Sequence, residues 1–116
     1  MKGIMRWPLS GAVLLLLVAQ TPTDDVNAAE NVMTSCYIES ATFYGAKSCE
    51  PPPKIVGDAF GSCENEETAF KNIVQRNHPN DPEFPDDALE KVRNDIITRL
   101  ESAILNEQVE IRKCSK

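Results

Sequence analysis

The sequence has little of what an active site is usually built from. It contains a single histidine, His78. No C-x-x-C occurs, which removes the common zinc and thioredoxin-like spacings. G-x-S-x-G, H-E-x-x-H and a glycine-rich phosphate loop are also missing, and with them the usual signatures of acyl transfer, metalloproteolysis and nucleotide binding. There is no basic run, and the net charge is −6. An acidic chain repels phosphate backbones and anionic membrane surfaces, so nucleic-acid binding and peripheral membrane binding are both excluded as expectations. Nor is there an apolar run of the ~20 residues that a membrane-spanning helix needs.

What the N-terminus does have is Lys2 and Arg6, followed by an uncharged apolar run at 9–19 (LSGAVLLLLVA) and a polar stretch, TPTDDVNAAE. That order of basic, apolar and polar segments is that of a secretory signal. Cleavage after Ala28 uses Val26 and Ala28 as the small −3/−1 pair; cleavage nearer Ala19 would leave an acidic leader. The expectation is a signal peptide over 1–28 and one domain over 29–116, which keeps the net charge of −6 because two bases and two acids precede Ala29. A domain this small buries only roughly 60–70% of its unfolded surface, so covalent staples would help it. Four cysteines, Cys36, Cys49, Cys63 and Cys114, are available. An even number in an oxidising compartment reads as two disulfides.

Apolar residues recur at helical spacing in three segments. The first covers 29–47, with a stripe of Val32, Cys36, Ser40 and Phe43/Tyr44, and Met33 and Tyr37 beside it. The second covers 54–77, with Val56, Ala59/Phe60, Cys63, Phe70 and Ile73/Val74. Glu64, Glu66 and Glu67 read as lying on its solvated side. Gly57 and Gly61 share one face and suggest a close helix approach. The third covers 86–113, with Leu89, Val92, Ile96, Leu100, Ala103/Ile104 and Ile111. Asp87 and Glu90 resemble a capping box at its start, and Arg112 and Lys113 in its last turn suit the helix dipole. Two proline-rich corners separate the segments, KSCEPPPKI at 47–55 and NHPNDPEFP at 77–85, because proline is tolerated in a first helical turn but not in an interior.

The corners also predict the cysteine pairing. Cys36 and Cys63 are equidistant from the first corner, so in an antiparallel helix pair they lie level, within reach of a disulfide. Reflecting Cys114 through the second corner lands beside Cys49. The expected bonds are Cys36–Cys63 and Cys49–Cys114.

Candidate chemistry is thin. Cys49 lacks a neighbouring base, since His78 sits in the opposite corner. His78 with Asp81, Glu83, Asp86 and Asp87 gathers hard ligands within a short stretch, but without the order or the glycine of a calcium loop. The prolines at 51–53 are too few to display a polyproline docking face. No catalytic residue, metal ligand or cofactor is expected.

The stretch DAFGSCENEETAF (58–70) sets a cysteine among small residues in mid-helix, with Cys36 one helix earlier. Over roughly residues 30–75 it resembles the short exported helical proteins of Gram-negative bacteria that carry a stapled helix pair. That resemblance implies a helical, disulfide-stapled, exported protein and carries no catalytic motif. The combined expectation is an all-α, three-helix, two-disulfide domain, periplasmic or secreted. It would act as a binding or interaction module for a protein partner or a small apolar ligand, with no membrane span once the signal is removed. A metal protein or enzyme using the His78 corner is the more distant alternative.

Overall fold

The computed structural model describes residues 22–114; of the expected signal at 1–28, residues 1–21 lie outside the described residues and residues 22–28 fall in the first turns of the first helix. Four helices follow one another, α1 (Pro22–Gly45), α2 (Pro52–Ser62), α3 (Glu64–Asn77) and α4 (Phe84–Glu110), with no strand among the described residues. α2 and α3 run end to end and form one arm of a three-armed bundle. Gly45, at the end of α1, lies against Ile104 and Glu107 near the end of α4. At the opposite pole Val26 and Glu30 of α1 face Ala88 and Val92 of α4. α1 and α4 are therefore parallel, and the α2–α3 arm returns antiparallel between them. No described helix is long and apolar enough to cross a membrane.

Each corner is set by proline. Pro51 takes extended angles (φ −57°, ψ 139°) as the N-cap of α2, and Pro52 and Pro53 occupy its first turn. Those positions have no intrahelical acceptor for an N–H, so proline's missing donor costs nothing there. Pro85 plays the same part at the start of α4. The three prolines at 51–53 thus begin a helix instead of displaying an extended ligand.

The single helix expected over 54–77 is two. The break falls at Cys63 (φ −109°, ψ 28°), which closes α2 and opens α3. Its N–H bonds back three residues, to Phe60 O at 3.1 Å, while its own carbonyl still accepts from Glu67 N at 2.9 Å. Two local causes act together. Ser62 Oγ donates to Asp58 O (3.0 Å), a back-bond that bends helices, and Cys63 is tied across to Cys36 on α1, with Cα atoms 6.0 Å apart.

The core is built from Met33, Tyr37 and Ala41 of α1, Ile55, Val56 and Ala59 of α2, Cys63, Phe70 and Val74 around α3, and Leu89, Ile96, Leu100 and Ile104 of α4. On α1 the buried face is one residue off the expected stripe. Met33, Tyr37, Ala41 and Gly45 are buried, whereas Val32 and Phe43 are more than half exposed. Phe43 instead packs edge-on to Tyr44 and lies under the Lys47 ammonium. α4 ends at Glu110, short of the expected 113, so Ile111 is exposed and no base sits in its last turn. No side-chain cap is formed at its start, where Glu83 is the N-cap; the Asp87–Glu90 box lies one turn inside the helix.

The glycines also exchange roles. A Cβ at Gly57 or Gly61 would meet nothing within 4 Å, so neither marks a close approach. The close approach is at Gly45, where a Cβ would come 3.2 Å from the Ile104 Cα and carbonyl oxygen. Gly57→Ala is therefore expected to raise stability by about 0.5–1 kcal/mol through helix propensity. Gly45→Ala is expected to lower it by about 1–3 kcal/mol, because backbone must give way. Urea midpoints of the two variants, moving in opposite directions, check both.

The far end of the bundle is closed by Cys49–Cys114, with Cα atoms 5.7 Å apart. Beside it the buried Gln108 donates from Nε2 to Ser48 O (3.0 Å) and Glu50 O (2.7 Å), the carbonyls on either side of Cys49. Lys113 adopts a left-handed conformation (φ 64°), which turns the chain so that Cys114 N reaches Gln108 O at 2.7 Å. Both cysteine pairs are those expected from their distances to the two corners.

Candidate functional site

Two places in the bundle bring chemically capable side chains together. The first is internal. Glu67, read from the sequence as solvated, is buried on α3 and points at α1 and α4. Its Oε2 accepts from the Tyr37 hydroxyl and from Arg93 Nε at 2.8 Å, and its Oε1 accepts from Arg93 Nη2 at 2.7 Å. The two-pronged arginine contact is the strongest form of carboxylate pairing. Phe60 completes the cluster: the Arg93 guanidinium lies over its ring at 4.7 Å, and the Tyr37 ring meets it edge-on at 4.8 Å.

Burial, and after it the bond to Glu67, pushes the Tyr37 phenol well above its usual range near 10. For Arg93, burial works against the charge, but the bonds to Glu67 and Tyr37 outweigh it and raise its pKa. A general base needs an open lone pair aimed at a substrate proton. Glu67 spends both oxygens on protein donors, so this cluster pins three helices together.

The Tyr37 shift has a stability consequence. A phenol whose folded pKa lies above its unfolded value contributes stability that is fully present below about pH 10 and declines as pH rises beyond that. The free energy of unfolding is expected to fall above about pH 10. In Tyr37→Phe that alkaline decline should be shallower. The tyrosine absorbance titrations of the two proteins should coincide until unfolding begins; a difference while both are folded would mean that Tyr37 ionises in the native state.

The second place is an open groove of about 640 Å³ at the pole where α1 and α4 begin and α3 ends. Its walls are Val26 of α1, Phe70 and Val74 of α3, and Phe84, Ala88 and Val92 of α4. Glu30, Asn77, His78, Asp87 and Lys91 edge it. The His78 ring lies against Phe84, with centroids 3.9 Å apart, and so extends the aromatic wall. A more open groove of about 630 Å³ runs between α1 and α3, floored by Ala28, Ala29 and Ala69 and flanked by the exposed Val32.

The remaining sequence candidates are dispersed. Asp86 pairs with Lys71 at 3.3 Å, and Asp81 Oδ1 accepts from Glu83 N at 3.3 Å. Of the five proposed hard ligands, only His78 and Asp87 face the groove. Three potential ligand atoms do lie within 4.8 Å of one another at Cys36, Cys63 and Glu66. Two of these are disulfide sulfurs, however, and metal binding by cysteine needs the thiolate. Glu64 is exposed and Glu66 half-buried, as a solvated face requires.

The sequence did carry a signal for Glu67. The α2–α3 stripe runs 56, 59, 63, 70, 74, and its helical spacing leaves a gap that position 67 fills. Reading glutamate as polar hid its place on the buried face. No protein-family model, curated protein or solved structure matches this chain.

Proposed function

We propose that the chain is an exported, non-enzymatic binding protein that holds a partly apolar ligand in the groove where α1, α3 and α4 meet. The observation that carries this reading is the groove's wall. Phe70, Val74, Phe84 and Val92 line one concavity, of about 640 Å³ with Val26 in place as cleavage nearer Ala19 leaves it, within the range of small-ligand sites, with a few polar groups at its edge. Export is supported by the basic-then-apolar N-terminus and by two disulfides, which persist in oxidising compartments. A non-enzymatic role is supported by Glu67, the one buried carboxylate among the described residues, being held at both oxygens by Arg93 and Tyr37.

The test is displacement of a fluorescent apolar dye from the oxidised protein, with and without Ala88→Phe, which fills the groove. Saturable binding that Ala88→Phe abolishes supports the site. Binding that is absent, or indifferent to the substitution, removes it. A protein-interaction module is the second reading, favoured by Val32, 61% exposed beside the α1–α3 groove. In that case Val32→Asp, and not Ala88→Phe, would abolish cross-linking to the partner in the native compartment.

A further inference from the structure

We infer that the ligand of this groove is a small cationic amphiphile, an apolar or aromatic body carrying a protonated amine. The inference rests on the groove being the binding site and adds the sign of the ligand's charge. Five polar side chains edge the apolar wall, Glu30 from α1, the uncharged Asn77 from the end of α3, His78 from the α3–α4 corner, and Asp87 and Lys91 from α4. They differ in how their bonds are spent. Lys91 Nζ is held by Asp95 at 2.8 Å, one turn further along α4, so its charge is already matched. The His78 ring is stacked on Phe84, and its backbone carbonyl accepts from Gln75 Nε2 at 3.0 Å.

The carboxylates of Glu30 and Asp87 make no hydrogen bond or ion pair among the described residues. Glu30 does feel the Lys91 charge across the gap, but shares it with Asp95. Nearby, Lys71 is occupied by Asp86. The groove therefore offers apolar surface with two carboxylates at its mouth whose charge no bonded base offsets, on a chain of net charge −6. An amine at the end of an apolar body would place its charge between Glu30 and Asp87 and its body against the half-buried Phe84 and Val92. A carboxylate of the same length would meet two like charges.

Three probes of one chain length separate the charge claim from the site claim: octylammonium, octanol and octanoate, titrated at pH 8 by calorimetry into the oxidised protein. Octylammonium is expected to bind about fivefold more tightly than octanol, the scale of two partly exposed ion pairs, and octanoate most weakly. Raising salt should narrow the gap. Glu30→Gln combined with Asp87→Asn should bring octylammonium down to octanol while leaving octanol unchanged. If octanol equals or exceeds octylammonium in the unaltered protein, or octanoate binds best, the charge claim is overturned and the groove stands. If no probe binds saturably, or Ala88→Phe alters none of them, the groove itself is overturned and the inference goes with it.

Discussion

Replacing Arg93 with methionine is expected to cost about 3 kcal/mol of folding stability. The substitution keeps most of the apolar stem over Phe60 but strands the Glu67 carboxylate, whose side chain is 8% exposed, without its cation. Removing one member of a buried ion pair costs about 3–5 kcal/mol because the other must stay charged in a poor solvent or change its protonation. The low end applies here because the Arg93 side chain is 37% exposed. Replacing the whole cluster should behave differently. Glu67→Leu with Arg93→Met leaves no orphaned charge, and adding Tyr37→Phe removes the orphaned hydroxyl. The triple variant is expected to recover most of the loss, as replacement of buried ion pairs by apolar residues often does. A double-mutant cycle on urea unfolding measures this. An Arg93→Met loss below about 0.5 kcal/mol would place the pair with ordinary surface ion pairs.

Loss of the Cys36–Cys63 bond, as Cys36→Ala with Cys63→Ala, is expected to lower stability by about 3–4 kcal/mol. The bond closes a separation of 27 residues, for which chain entropy alone gives about 3.5 kcal/mol. Net stabilities of small domains are about 5–15 kcal/mol, so the variant should unfold at a much lower urea concentration. The two bonds should also differ in how readily they open. Cys63 is fully buried, whereas Cys49 is exposed, and exchange needs a thiolate to reach a sulfur. Under native conditions a limiting dithiol should reduce Cys49–Cys114 first. Alkylation and peptide mapping would show label on Cys49 and Cys114; label first on Cys36 and Cys63 would refute the accessibility argument.

Much of the helical layout was legible because proline and helical periodicity are local signals. The prolines at 47–55 and 77–85 could stand only between helices or in a first turn, and the positions of these corners fixed which cysteines share a level. What escaped the sequence depends on tertiary contact. Whether Val32 or Met33 faces inward is a rotation of α1 by one residue, decided by what α2 and α4 present to it. Gly57 and Gly61 look like a packing notch only if a helix lies over them, and none does; the notch is at Gly45, whose neighbour is 59 residues further along. The break at Cys63 comes from a disulfide and a serine back-bond, neither of which shows in the periodicity. Glu67 was misplaced for a simpler reason. Its buried position was visible, but its partners, Tyr37 and Arg93, lie 30 and 26 residues away. The groove was the least legible feature, since it is made by three helix ends meeting at one pole.

Gln108 bears on how the second disulfide comes to exist. Its side-chain amide grips the carbonyls flanking Cys49, and its backbone carbonyl takes the Cys114 N–H. One residue thus holds both partners of the bond through hydrogen bonds that do not require the bond. In a reduced chain that has reached this fold, the two thiols already stand side by side at the high effective concentration of an intramolecular pair. Oxidation would then record a pairing that the fold has chosen. A stray reductant would meet a bond whose halves stay in place to close again.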